Sequence, residues 1–136
     1  MIPKFRAWHK EGNRMILPKH LYSIDLLKEQ VTERTKCNYT FSLHSIPFDK
    51  VKFMQSTGLK DKNGKEIFEG DVLELYDCGE TIGNVKAYWD GSLGAFMLDA
   101  IVVDDREPMY KVIDDEDFSY SVIGNIYENP ELLEVE

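Results

Sequence analysis

The stretch from Thr57 to Leu73, TGLKDKNGKEIFEGDVL, constrains the fold of this chain more than any other. Asn63-Gly64 lies between two short segments of strand-forming residues, and both residues tolerate the positive φ that a type I′ turn requires. Glu69-Gly70-Asp71 then forms a second corner before another apolar run. The stretch therefore predicts two short antiparallel strands joined by a type I′ turn, followed by a third strand that begins at the Gly70-Asp71 corner.

Alternation of apolar and polar residues predicts strands along most of the chain, and these segments are rich in aromatic and β-branched residues. Residues 23–31 fit either a short helix capped by Ser23 or a buried strand. We predict a mainly β fold, a β-rich α+β protein with an N-terminal β-hairpin lobe and at most short helices. The C-terminal half is expected to form a small SH3-like barrel or a rolled antiparallel sheet. The predicted strands are residues 2–8, 14–17, 38–44, 49–55, 72–76, 83–89, 95–103 and 118–127.

Several details of these elements follow from single residues. The apolar run at residues 95–103 predicts a central strand that is buried on both faces. Gly124 indicates a bulge in the last strand, and Asn129-Pro130 predicts the start of a final helical turn. In residues 38–44 the alternation places Tyr39, Phe41 and Leu43 on one side. The core candidates are Ile67, Val72, Ile123 and Ile126.

Charge divides the chain into two halves of opposite sign. Residues 1–60 contain 11 Lys/Arg and 5 Asp/Glu, a net charge of +6, whereas residues 61–136 contain 5 Lys/Arg and 20 Asp/Glu, a net charge of −15. We predict a basic lobe at residues 1–56 and an acidic barrel-like lobe at residues 57–136, or a single compact domain. Each half either has a solvated surface of its own sign, or the halves meet, within a chain or between subunits, through complementary fields. The second alternative predicts an assembly or a stability that weakens as salt rises.

The start of the chain does not resemble a signal peptide, because Pro3, Lys4, Arg6 and His9 interrupt any apolar segment. No run of residues approaches the roughly 20 apolar positions that a membrane-spanning helix needs. Cys37 and Cys78 are the two cysteines, and a disulfide between them stays open at this point. These features favour a cytosolic protein with reduced thiols, which makes no contact with a membrane.

Motifs for metal binding and catalysis are missing from the sequence. Asp61, Asn63 and Lys65 alternate as the ligands of a calcium loop do, but Gly64 is fourth rather than sixth and Val72 stands where the final Glu belongs. The sequence contains no GxSxG motif, no P-loop and no GxGxxG motif. We therefore expect a protein that is not an enzyme and that has no cofactor, no metal and no catalytic residues. His9, His20 and His44 lack the spacing of metal ligands.

Two groups of charged residues, one acidic and one basic, each have more than one possible role. The acidic clusters Asp104-Asp105 and Asp114-Asp115-Glu116-Asp117 favour hydrated loops, although a divalent cation, and with it a metal-dependent enzyme, or a basic partner would also suit them. The N-terminal segment interleaves basic residues with an aromatic residue, as nucleic-acid surfaces do. The strongly negative second half would oppose such binding, so nucleic acid is not the expected partner. The residues of this basic segment are Lys4, Arg6, Trp8, Lys10 and Arg14.

Three segments of the chain resemble the YopX family of proteins encoded by bacteriophages and prophages. They are KFRAW at residues 4–8, the central stretch TGLKDKNGKEIFEGDVL, and VIGNIYENPELLE at residues 122–134. The central stretch departs from the usual family form at Phe68, where Tyr is common. The resemblance implies a phage or prophage protein that acts in the cytoplasm of a bacterial host, with a β-rich fold suited to assembly as a homo-oligomer. It implies no activity, so no catalytic residue can be carried over.

The first hypothesis for function is a non-enzymatic accessory protein that binds itself and a host or phage protein. Exposed aromatic residues flanked by charge are the expected contact residues, because aromatic anchors dominate protein interfaces. Trp8, Tyr88 and Trp89 are the candidates, and Trp89 is also a candidate for the core. The alternative is a role in nucleic-acid transactions, either by direct binding through the basic half or as an acidic mimic of DNA. The residues expected to act only in structural turns are Asn63, Gly64, Gly70, Asp71, Asn129 and Pro130.

Overall fold

A computed structural model describes residues 3–100 and 106–134, and most of these residues lie in antiparallel strands. The prediction of a mainly β fold with only short helices is confirmed. The chain divides into two compact units, Met1–Gln55 and Ser56–Glu136. Strand β6 contributes its first half to one unit and its second half to the other.

The first unit contains two antiparallel sheets. The predicted N-terminal hairpin is present, and Trp8 of β1 pairs with Met15 of β2. The open question at residues 23–31 is answered by two strands, β3 and β4, joined by a turn in which Asp25 Oδ1 accepts the backbone N–H groups of Leu27 and Lys28, each at 3.0 Å. Strand β6 pairs with β1 through Val51–Gln55, and β3-β4-β5 forms the second sheet. The strands are β1 Phe5–His9, β2 Arg14–Ile16, β3 Leu21–Asp25, β4 Gln30–Cys37, β5 Thr40–Pro47 and β6 Val51–Lys60, with 3₁₀ turns at Pro18–His20 and Phe48–Lys50.

An ion pair between a buried carboxylate and a half-exposed arginine joins β4 to β2 within the first unit. Glu33 of β4 is only 4% exposed and pairs with Arg14 of β2 through both guanidinium Nη2 and Nε, the latter at 3.3 Å from Oε2. The hydrogen bond to Glu33 raises the pKa of Arg14. One side of β4 therefore faces the core of this unit. The core consists of Ala7, Ile16, Val31, Ile46 and Val51.

The second unit is built on a five-stranded antiparallel sheet with the order β11-β10-β9-β8-β12. Strand β7 pairs with the second half of β6. Among the described strands, β11 and β12 are the two edges of this sheet and do not pair with each other, so the sheet is open. The rolled-sheet alternative therefore describes this unit better than a closed barrel. The elements are β7 Glu66–Phe68, β8 Asp71–Asp77, β9 Glu80–Asp90, β10 Ala95–Ala100, β11 Arg106–Pro108, α1 Met109–Ile113, β12 Phe118–Asn125 and a 3₁₀ turn at Pro130–Leu133.

Burial agrees with most of the core expectations for this unit. Ile67 and Val72 are fully buried. In β10, the successive residues Met97 and Leu98 are both buried, so both faces of the strand are covered there, as predicted; residues 101–103 of the predicted strand lie outside the described residues. Ile123 was expected in the core, but it is 39% exposed, because the predicted bulge falls between Val122 and Gly124 and leaves it unpaired.

The turn at Asn63-Gly64 forms a hairpin, but the predicted type I′ geometry is wrong. Only Gly64 of the two has a positive φ, at 82°. Gly64 N–H donates to the carbonyl oxygen of Asp61 at 3.0 Å, which closes a four-residue turn that ends in a left-handed glycine. The reason is Asp61, whose Oδ1 accepts the N–H groups of Asn63 and Lys65 at 2.9 and 2.8 Å and fixes this longer loop.

A turn with the positive φ pair of type I′ occurs instead at Cys78-Gly79, where φ is 50° and 86°. Left-handed backbone is costly for a residue with a Cβ, and Asn tolerates it better than Cys. We expect Cys78→Asn to raise the free energy of unfolding by roughly 0.5 to 1 kcal/mol, measured by urea denaturation. The matched control is Cys37→Asn, at an exposed strand position without a positive φ, where no gain is expected. Equal changes in the free energy of unfolding for the two substitutions would contradict the claim that the backbone at Cys78 is strained.

The central and closing sequence segments meet inside the second unit. Asp61 Oδ2 accepts the backbone N–H of Val122 at 2.9 Å, and Lys62 N–H donates to the carbonyl oxygen of Tyr120 at 3.0 Å. Asn63 Nδ2 donates to Ser121 Oγ at 3.1 Å. The loop that begins at Asp61 therefore pairs with the outer edge of β12, which has β8 as its only neighbour among the described strands.

The other predicted turn residues also have structural contacts. Gly70, with φ of 85°, donates its N–H to Ala87 O at 2.8 Å and accepts the N–H of Ile126 at 2.9 Å. Asp71 is 1% exposed, and its Oδ2 accepts the N–H of Phe68 at 2.8 Å. Asn129 Oδ1 accepts the N–H of Asn125 at 3.2 Å, and Pro130 begins the final 3₁₀ turn.

Candidate interaction surface

The three aromatic residues proposed from the sequence are not brought together as one exposed group. Trp8, in the first unit, is only 8% exposed, so its burial removes it from the set of exposed anchors. Tyr88 and Trp89 are neighbours in β9 of the second unit and point to opposite faces of the sheet. Tyr88 is half-buried, whereas Trp89 is 43% exposed and packs edge-to-face on Phe96 at 5.0 Å.

The basic N-terminal segment is largely used by the fold of the first unit. Arg6 is 7% exposed, and Arg14 pairs with the buried Glu33. Lys10 Nζ donates to the carbonyl oxygen of Asp49 at 3.1 Å. Strand β1 therefore does not present alternating basic and aromatic side chains to solvent, as the sequence alone would allow.

Exposed apolar side chains are concentrated on the three-stranded sheet of the first unit. Among the described residues, thirteen large hydrophobic side chains are exposed, and seven of them belong to strands β3 to β5 or their connecting turns. They are divided over the sheet: Phe41 and Leu43 share one side, Ile24 projects from the other, and the remaining exposed residues include those of the two turns. The seven are Tyr22, Ile24, Leu26, Leu27, Tyr39, Phe41 and Leu43.

Four of the exposed side chains on this sheet form what we call the basic apolar face: Arg34, Lys36, Phe41 and Leu43. Arg34 pairs with Leu43 and Lys36 pairs with Phe41, so all four side chains project from the same side of β4 and β5. The Arg34 guanidinium carbon lies 4.4 Å from the centroid of the Phe41 ring, a cation–π contact. The face thus combines two cations with two apolar side chains, all of them exposed.

The opposite side of the same sheet explains this orientation. Val31 of β4 pairs with Ile46 of β5, and both are buried in the core of the first unit. Because side chains alternate along a strand, the row that contains Arg34 must face outward. Phe41 and Leu43 therefore share one side of the strand, as predicted, and both are exposed, whereas Tyr39 lies in the turn before β5 and not in the strand. A signal was available in the sequence: the strand that precedes it carries Arg34 and Lys36, which do not suit a buried row opposite Phe41.

A second charged surface, which we call the acidic corner, surrounds the Cys78-Gly79 turn and consists of Asp77, Glu80, Asp115 and Asp117. Asp77 pairs with Glu80 across the hairpin, and Cys78 N–H donates to the carbonyl oxygen of Asp117 at 2.8 Å. A hydrogen bond with Asp77, together with the charges of Asp117, Asp77 and Asp115, raises the pKa of the Cys78 thiol. Part of the predicted acidic cluster thus joins a hairpin tip.

The remaining candidate groups are the second acidic pair, the two cysteines and any set of metal ligands. Asp104-Asp105 lies outside the described residues. Cys37 and Cys78 are both free and exposed. Within residues 3–100 and 106–134, no three His, Cys, Asp or Glu side chains are arranged to hold a metal ion. None of the described helices has the length and apolar character that crossing a membrane requires.

Comparisons with known proteins connect this fold to a family. The family model described as YopX protein matches residues 4–134. The crystal structure of protein EF1440 from Enterococcus faecalis is 32% identical in sequence, with a TM-score of 0.63 over 98% of this chain and 99% of that chain. The crystal structure of protein YopX from Bacillus subtilis is 20% identical, with a TM-score of 0.65 over 96% and 98% of the two chains. No curated protein matches the chain.

Proposed function

Since the chain belongs to the YopX family, we propose that it is a phage or prophage accessory protein that acts in the cytoplasm of a bacterial host by binding protein, including copies of itself, and not by catalysis. The observation that supports this proposal is the concentration of exposed apolar side chains on the β3-β4-β5 sheet. Full burial of such a side chain contributes on the order of 1.5 to 3 kcal/mol, and Phe41 and Leu43, which are about half exposed, forgo part of it. A partner that covers the sheet recovers part of that free energy.

The chemistry of the basic apolar face suits a protein partner. Aromatic and arginine side chains are enriched among the residues that dominate interface energies. Arg34 is already held over the Phe41 ring, which reduces the side-chain entropy that it loses on binding. Lys36 and Leu43 extend the same surface with a second cation and a second apolar group.

Capture from the bacterial host tests this proposal. The tagged wild-type chain is isolated with and without nuclease, beside the double variant Phe41→Ser with Leu43→Ser, and bound proteins are identified by mass spectrometry. We expect a stoichiometric protein, either another copy or a host or phage protein, that survives nuclease and is lost with the double variant. The matched control is Leu93→Ser, because Leu93 is also exposed, at 63% against 54% for Leu43, but lies in the other unit and outside the acidic corner. Equal capture by all three proteins, with unchanged circular dichroism, would contradict the proposal.

A second candidate function is the binding of single-stranded nucleic acid by the same face. Arg34, Lys36 and Phe41 supply the cations and the ring that such sites combine. The net charge of −9 opposes it, because the chain repels phosphate at long range. A gel shift of labelled single-stranded DNA that is lost in Arg34→Glu with Lys36→Glu would favour this candidate, and a capture that disappears with nuclease would agree with it.

A further inference from the structure

We propose that the acidic corner of a second copy of this chain covers the basic apolar face. The inference rests on the proposed function, which assigns protein binding to that face, and it adds the identity of the partner and the surface that the partner contributes. Each copy then offers one basic and one acidic surface to its neighbours.

Within the described strands β3 to β5, no carboxylate neutralises the positive charges of Arg34 and Lys36. Across β3 to β5, all of which the structure describes, Asp25 is the carboxylate on the same side of the sheet, but it lies at the far end and its Oδ1 accepts two backbone N–H groups of its own turn. Glu33 points to the opposite side and pairs with Arg14. In the described part of the chain, neither Arg34 nor Lys36 forms an ion pair. The two cations are therefore available to carboxylates from outside.

The acidic corner has the complementary character. Its four carboxylates crowd one hairpin tip, and within residues 3–100 and 106–134 none of them has a cation as an ion-pair partner. Like charges that surround one turn repel one another, and cations from a partner would relieve that repulsion. Ile82, 54% exposed, lies two residues after Glu80 in the same strand and adds an exposed apolar side chain to this end of the hairpin. The corner thus offers anions next to an apolar side chain, as a partner for cations next to Phe41 and Leu43.

A second copy suits the basic apolar face better than other anionic partners. Residues 61–136 carry a net charge of −15, so every copy brings a strongly negative surface that is encoded in the same chain. The contact joins two different surfaces, so it is heterologous and generates rings or chains of copies rather than isologous dimers. Because opposite charges attract through solvent at the rim of the contact, association should weaken as salt rises.

Charge reversal on each surface tests the pairing. Variant one is Arg34→Glu with Lys36→Glu, and variant two is Glu80→Lys with Asp117→Lys, all at exposed positions. Sedimentation velocity is expected to show the wild type at a multiple of the 15.8 kDa chain mass and each variant as a monomer. The expected weakening of self-association is at least about 30-fold.

An equal mixture of the two variants should associate again, because the reversed surface of each variant then meets a surface of opposite charge on the other. Lys19→Glu with Lys28→Glu, which reverses two cations outside the face, is the control and should assemble as the wild type does.

Chemical crosslinking of the wild-type chain tests the pairing even if a variant fails to fold. Carbodiimide, which joins amines to carboxylates in contact, is applied to a mixture of isotope-labelled and unlabelled wild-type chains. We expect mixed-label crosslinks between Lys36 and Glu80 or Asp117.

Variants that stay monomeric when mixed, or an assembly without these crosslinks, would overturn the pairing while leaving self-binding intact. A wild-type monomer that still captures another protein through Phe41 and Leu43 would overturn the pairing and leave the proposed function standing. A face that binds single-stranded DNA in place of a second copy would overturn both.

Discussion

Replacement of Asp61 by alanine is expected to lower the free energy of unfolding by about 3 kcal/mol, because it leaves several backbone donors without their charged acceptor. The carboxylate accepts N–H groups from Asn63, Lys65 and Val122 at 2.8 to 2.9 Å, and the residue is 7% exposed. Two of these bonds shape the loop and the third joins it to β12. Loss of these three hydrogen bonds therefore destabilises both the turn and the edge of β12 that the loop covers. Chemical denaturation followed by circular dichroism measures the effect.

The matched control for this substitution is Asp90→Ala. Asp90 Oδ1 also accepts two backbone N–H groups, from Ser92 and Leu93, but these bonds stay within an exposed loop and do not join it to another strand. Water can replace an acceptor there, so we expect a loss of at most about 1 kcal/mol. Equal losses for Asp61→Ala and Asp90→Ala would contradict the joining role of Asp61.

The stabilisation by Asp61 also has an expected pH dependence. Burial raises the pKa of the Asp61 carboxyl, but the backbone hydrogen bonds from Val122, Lys65 and Asn63 favour the charged form and hold the pKa below its ordinary value of 3.8. The folded state then binds fewer protons than the unfolded state, so the stabilisation is present above the ordinary value and is lost as pH falls through the lowered one. The difference between wild type and Asp61→Ala should therefore shrink in acid. A difference that stays constant down to about pH 2 would contradict this account.

Leu73→Ala is expected to have the second large effect, a loss of about 3 kcal/mol. Leu73 is fully buried in β8, paired with Val122 on one side and Val85 on the other, at the centre of the second unit's core. Removal of its side chain leaves a cavity that a sheet fixed on both sides cannot close. Leu93→Ala is the control, since Leu93 is 63% exposed in a turn and should change the free energy of unfolding by less than about 0.5 kcal/mol. A small effect at Leu73, with the fold unchanged, would place the core elsewhere.

Local patterns were sufficient to predict the mainly β fold and most of its strands. The strands β1 and β9, the glycine corner at Gly70 and the bulge near Gly124 follow from short segments, and each is present in the structure. The type I′ turn was assigned to Asn63-Gly64 because the dipeptide favours it. The prediction failed there because Asp61, two residues earlier, competes for the same N–H groups.

The candidate surface could not be predicted from the same patterns. Alternation shows which residues share one side of a strand, but only the packing of Val31 and Ile46 with Ile16 and its neighbours in the core decides which side is buried. Phe41 and Leu43 therefore look like core residues until Arg34 and Lys36 are known to be their neighbours across the hairpin. Trp8 is the opposite case, since a tryptophan flanked by charges resembles an exposed anchor and is buried in the first unit.

The most direct test of the claim that the basic apolar face binds protein is site-specific photo-crosslinking inside the bacterial host. A photoreactive phenylalanine derivative is placed at position 41, and at the exposed position 93 as the control, and the adducts are identified by mass spectrometry after nuclease treatment. The account predicts a protein adduct at position 41, with peptides of the Cys78-Gly79 hairpin of a second copy if the partner is this chain. No protein adduct at position 41, or adducts to nucleic acid alone, would contradict it.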